Sequence, residues 1–196
     1  MSESPDRPSR WQRWKPFLKD AAFFVALVGT SFAARSSFAD HYYVPSGSMI
    51  PTVQVGDQIL VNKTAYGVRV PFTGIVAVPR GTPRREDVVV LESPVDGTTL
   101  LKRVVAVPGD VVEVSGGRVF INGEALDESR HALAMERGGG PPWGPRKLEP
   151  DEYLVLGDHR GDSMDGRYFG PVKREAIFGR AERVFLRGTH PLWQPL

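Results

Sequence analysis

The chain has 196 residues, 41% hydrophobic and 24% charged, with a formal net charge of +2, which is enough for one well-buried core and too balanced in sign to point to nucleic acid. It has no cysteine, which excludes a thiol nucleophile, a thiolate zinc site and a disulfide framework. The four histidines, His41, His131, His159 and His190, show no short metal-ligand spacing, so neither metal nor cofactor is expected.

Residues 1–16 are polar and proline-containing and read as a short tail. The next segment, FLKDAAFFVALVGTSFAARSSFAD, holds an uncharged run, Ala21 to Ala34, of only 14 residues. With Lys19 and Arg35 reaching back to the two interfaces, Phe17 to Ala39 gives 23 residues, a helix of about 35 Å at ~1.5 Å per residue. Residues 17–39 are therefore expected to be a transmembrane anchor in contact with membrane lipid. A buried helix and the apolar part of a cleavable leader are the competing readings. Arg7, Arg10, Arg13, Lys15 and Lys19 precede the run and Arg35 alone follows closely, which puts the N-terminus in the cytoplasm and residues 40–196 outside.

From Tyr42 onward, short β-type runs alternate with turn residues: QILVNK, GIVAVP, DVVVLESP, TTLLKRVVAVPGD, VVEV, RVFING and EYLVLGD. Gly116-Gly117 and Asn122-Gly123 mark hairpin turns. The spacing predicts a mainly β, antiparallel domain over residues 40–196, with one short helical candidate near 124–136 and a loop at 138–145. Phe72, Trp143 and Trp193 are candidate aromatics for a membrane interface.

The chemistry concentrates in PSGSMIPT at 45–52. Pro45 and Pro51 restrict φ and Gly47 permits unusual φ, so Ser46 and Ser48 are expected to sit in one defined turn. A serine hydroxyl needs a base before it attacks. His159, beside Asp158 and Asp162, allows a Ser/His/Asp triad on paper, although its loop reads equally as a turn whose aspartates cap backbone amides. Lys102 alternates onto one strand face with Leu100 and Val104, while Arg103 faces the other way. Apolar surroundings there would lower its pKa, whereas a place at a strand edge would leave it an ordinary solvated lysine. The strand alone leaves both readings open.

PSGSMIPT, GDQILVNKTAYG, LKRVVAVPGD and LGDHRGDSMDGRYFG, in this order, together resemble the bacterial type I signal peptidase (leader peptidase) family. The resemblance runs from about residue 17 to about 180. It implies a membrane-anchored β-fold endopeptidase of the cytoplasmic membrane that removes signal peptides from exported proteins with a serine-lysine dyad. Ser48 matches the nucleophile and Lys102 the general base. Ser46 matches the serine whose hydroxyl joins the Ser48 backbone N–H in an oxyanion hole, Ser163 the serine that orients the lysine, and Asp165 with Arg167 an ion pair that braces the site. His159 and Gly166 depart from the family's commoner Asn and Ser. Residues 116–150 are expected to hold a reduced insertion, a hairpin and a loop. A substrate strand is expected to add along Tyr42–Pro45, its small side chains entering pockets walled by Val44, Pro45, Met49 and Leu101. The rival readings are a specialised pilin-maturing peptidase of the same family, a self-cleaving repressor, for which residues 1–40 provide no DNA-binding domain, and a catalytically silent membrane-tethered β binding module.

Overall fold

The computed structural model describes residues 20–28, 39–69, 76–128 and 139–196. The 1–16 tail, most of the 17–39 segment, Phe72 and most of the 124–136 helical candidate lie outside the described residues. Residues 20–28 form helix α1, whose Phe23, Phe24, Val25, Leu27 and Val28 are exposed. No described helix is long and apolar enough to cross a membrane.

Fourteen strands follow among the described residues: β1 (Ala39–Tyr43), β2 (Asp57–Asn62), β3 (Gly67–Arg69), β4 (Val76–Pro79), β5 (Val88–Glu92), β6 (Thr99–Ala106), β7 (Val111–Ser115), β8 (Arg118–Ile121), β9 (Glu124–Ala125), β10 (Trp143–Lys147), β11 (Glu152–Leu156), β12 (Val172–Lys173), β13 (Ile177–Arg187) and β14 (His190–Pro195). All their pairings are antiparallel, as the alternating runs predict. The main sheet has the order β1-β2-β13-β5-β6-β11-β12, with β14 also paired to β13. Strand β13 pairs with β5 through Ile177–Arg180, with β2 through Arg180–Arg187 and with β14 through Arg183–Arg187, its register shifting at 177–179, 181–183 and 184–186.

Three apolar clusters fill the domain. One, around Met49, Val53, Ile59, Val61 and Val184, packs under β1, β2 and β13. A second joins Val105, Leu154 and Leu156 of the main sheet to Val112, Val114, Val119 and Ile121 of a smaller sheet, β10-β7-β8-β9. The third gathers Val89, Leu91, Val104 and Val155 about Tyr66 and Ile177. Strand β6 is buried on both faces from Lys102 to Ala106, so neither face reads as a solvent face.

The insertion at 116–150 holds more than the expected hairpin and loop. Trp143–Lys147, whose first three residues were expected as loop, pairs with β7 in β10, and only glycine fits at 144, where a Cβ would lie 2.3 Å from the Val112 carbonyl oxygen. Trp143 packs against the second cluster rather than projecting outward, while Trp193 is exposed beneath the Arg183 guanidinium, 5.3 Å from its ring centre.

Candidate active site

Strand β1 continues its ladder one step past Tyr43: Val44 N–H donates to Asp57 O at 2.9 Å and Gly56 N–H to Val44 O at 2.9 Å. Pro45 has no N–H to carry the ladder on, and the chain turns. Ile50 N–H donates to Gly47 O and Val53 N–H to Met49 O, and Met49, 1% exposed, pins this turn into the first cluster. Gly47 is not in the left-handed region, contrary to the expectation; what the position needs is room, since a Cβ would lie 3.1 Å from Ile50 Cδ1.

Lys102 arrives from β6, opposite Val89 of β5, and is 3% exposed. Its Nζ donates to Ser48 Oγ at 2.8 Å and to Leu101 O at 3.0 Å. Burial pushes its pKa down to about 8, against the pull of the Asp165 and Asp158 carboxylates, which favour the ammonium. The solvated-edge reading of this lysine is thereby excluded. A serine hydroxyl and a desolvated amine in contact are the minimum needed for general-base activation.

The 157–167 loop closes over the back of this pair. His159 N–H donates to Ser48 O at 3.0 Å, but the His159 side chain makes no bond to Ser48, and its Nδ1 is buried without a partner among the described residues. Asp158 is taken by Arg103 in a two-pronged pair, 2.8 Å on each side, and accepts from Thr52 Oγ1 at 2.5 Å. The Ser/His/Asp triad is therefore not assembled. Asp165 and Arg167 form a fully buried pair at 2.8 Å, and Asp165 also accepts from Gly157 N–H at 3.0 Å. Ser163 Oγ is buried with no hydrogen-bond partner among the described residues, so the expected bond to Lys102 is not formed. The Ser163 hydroxyl is instead pressed against Gly157, where a Cβ would lie 2.3 Å from it. Gly166, one of the two departures from the family pattern, sits where a Cβ would lie 2.7 Å from Leu154 Cδ1. A glycine lets the short helix α2 (Gly166–Phe169) settle directly on β11.

Three contributors escaped the sequence reading. Arg103 was placed only as facing away from Lys102, Asp158 only as a triad partner, and Arg160 not at all. Arg160 is 1% exposed and bonds Gly157 O, Gly117 O and the Glu128 carboxylate. The usable signal was three arginines and four aspartates crowded into two short motifs, since charges in apolar company must be paired.

A cleft of about 90 Å³ leads up to Ser48 and Lys102 between β1 and the start of β6. Val44, Pro45, Met49 and Leu101 all line it, together with Tyr42, Ile59 and Val90 beneath, and exposed Ser46 stands beside Ser48 on its rim. Among the described residues β1 has no ladder partner beyond β2, and β6 pairs with β11 only from Arg103 onward, so both strands present free edges to the cleft.

Residues 16–186 match the family model described as signal peptidase, peptidase S26. The chain belongs to this family. Among signal peptidase relatives, the signal peptidase I of Leptolyngbya laminosa is 38% identical over 154 residues, 79% of this chain and 72% of that protein. The signal peptidase I of Pseudomonas aeruginosa is 36% identical over an alignment 204 positions long that covers 86% of this chain and 70% of that one. A crystal structure of a signal peptidase I from Enterococcus faecalis V583 aligns with 51% of this chain and 97% of its own, at a TM-score of 0.43 and 28% identity.

Proposed function

We propose that the chain removes signal peptides from exported proteins as an anchored serine endopeptidase, with Ser48 as nucleophile and Lys102 as general base. The observation that carries this reading is the 2.8 Å contact between Lys102 Nζ and Ser48 Oγ, both lining an apolar cleft with two free strand edges. A preprotein segment adds as a strand between those edges, with its small side chains entering the cleft before the cut.

Neutral Lys102 takes the Ser48 hydroxyl proton as Oγ attacks the scissile carbonyl. The oxyanion is held by the Ser48 N–H and the Ser46 hydroxyl, each such donor being worth ~3 to 4 kcal/mol of the barrier. Protonated Lys102 then hands its proton to the leaving amine, which departs as the new N-terminus of the mature protein. Water, losing a proton to Lys102, opens the ester and frees the signal peptide as Lys102 returns that proton to the departing Ser48 Oγ. The Arg103–Asp158 and Arg167–Asp165 pairs and Ser163 hold the wall behind this exchange.

Residues 17–39 serve as the anchor, with the N-terminus inside and residues 40–196 on the outer side of the cytoplasmic membrane. The exposed phenylalanines and valines of α1, which no described part of the domain covers, support lipid as their surroundings. Detergent-solubilised protein should cut a preprotein bearing small residues at the first and third positions before the junction, and Ser48→Ala should not. Equal cutting by Ser48→Ala would remove the dyad. Accumulation of pilin precursors alone on depletion would favour the specialised peptidase, and absence of cutting by the wild type would favour a silent binding module.

A further inference from the structure

Gly157 is the tightest point of the loop behind the site. A Cβ there would lie 2.5 Å from Ser48 O and 2.3 Å from Ser163 Oγ, so this peptide is wedged between the nucleophile's backbone and the neighbouring serine. Both polar groups of Gly157 are gripped: its N–H by Asp165 at 3.0 Å, its carbonyl by Arg160 Nε at 3.0 Å. Each grip leads to the turns and connections around the small sheet. Arg167, paired with Asp165, bonds Gly139 O. Arg160 uses its remaining donors on Gly117 O in the β7–β8 turn, at 2.8 Å, and on both oxygens of Glu128.

A guanidinium that is 1% exposed needs an anionic partner, and breaking such a pair is costly because it leaves a buried charge unmatched. Glu128 is the one carboxylate bonded to Arg160 among the described residues, and its own side chain is 10% exposed. It lies outside all four motifs of the resemblance.

We infer that Glu128 is a positioning residue: through Arg160 it fixes the Gly157 peptide and so keeps Ser48 within hydrogen-bond reach of Lys102. The small sheet is then a brace for the catalytic loop. This rests on the Ser48/Lys102 reading. Loss of the Glu128 charge lets Arg160 turn to water, and the Gly157 carbonyl loses its clamp. Because the cleft walls come from β1, the serine turn and β6, substrate binding is untouched and the loss falls on kcat.

The test uses the full chain in detergent with a preprotein substrate. Glu128→Gln, of equal size and no charge, should lower kcat per folded molecule roughly ten- to a hundredfold, the scale of small misplacements at a reacting centre, with KM within about threefold of wild type. In a double-mutant cycle, Glu128→Gln with Arg160→Lys should be no slower than Arg160→Lys alone, because both break one chain of contacts. Where Glu128→Gln fails to fold, Glu128→Asp, which keeps the charge at shorter reach, should fold and show the same kcat loss in milder form. A kcat near wild type, a loss carried by KM, additive losses in the cycle, or failure of both variants to fold would each overturn the inference. Ser48→Ala in the same assay separates the two readings: a dead Ser48→Ala beside a normal Glu128→Gln removes only the brace, whereas an active Ser48→Ala removes the dyad itself.

Discussion

Replacing Lys102 by methionine should abolish cutting and at the same time stabilise the fold near neutral pH. Burial moves the Lys102 pKa from 10.5 to about 8, which at ~1.36 kcal/mol per pH unit is a penalty of roughly 3 kcal/mol on the buried ammonium. Below pH 8, folded and unfolded chains both carry the charge and the folded one bears this penalty in full. Between pH 8 and 10.5 the folded chain has released the proton that the unfolded chain still holds, so wild-type stability rises with pH; above 10.5 both are neutral and the penalty is gone. Methionine removes the charge, keeps most of the volume, and forfeits the bonds to Ser48 Oγ and Leu101 O at about 1 kcal/mol each. Lys102→Met should therefore be about 1 kcal/mol more stable than wild type at pH 7, and about 1 to 2 kcal/mol less stable by pH 10. Urea unfolding of the two proteins side by side, followed by tryptophan fluorescence at pH 6 to 10, measures the difference and cancels every other titrating group. A difference that does not change with pH would mean that Lys102 is not a desolvated base.

Three further outcomes follow from the same geometry. The wild-type kcat/KM should rise with pH around a midpoint near 8, where Lys102 loses its proton, and Lys102→Arg, permanently charged, should be as inactive as Lys102→Met in a preprotein assay. His159→Asn should keep most of the activity, because His159 holds Ser48 through its backbone N–H and its side chain does not touch the hydroxyl; a loss beyond about a thousandfold would restore histidine as base. Gly157→Ala should cost about 2 to 3 kcal/mol in urea unfolding and more than about a hundredfold in kcat, since its Cβ has no space between Ser48 O and Ser163 Oγ; near-normal rates would show the loop to be slack.

The sequence by itself determined what depends on neighbours along the chain. Alternation in QILVNK and TTLLKRVVAV made them strands, Gly116-Gly117 made the β7–β8 turn, and Pro45, which lacks an N–H, ended the ladder beside Ser48. Family motifs named the candidate residues. Only the tertiary structure decided the state of Lys102, because strand periodicity cannot say whether a face meets water or another layer, and here β6 is covered on both sides. The partners of the charged groups were equally out of reach. Ser48 and Lys102 stand 54 positions apart in sequence, Arg103 and Asp158 stand 55 apart, and Arg160 and Glu128 stand 32 apart. A buried charge takes whichever opposite charge the fold brings to it, and many pairings satisfy the same composition. Strands β9 and β10 were missed for a related reason. Glu-Ala is too short to show a period, and Trp143–Lys147 contains Gly144 and Pro145, which read as loop until pairing with β7 supplies a ladder. Local chemistry wrote the elements and the motifs, and long-range packing chose which of their charges would be dry, paired and close enough to react.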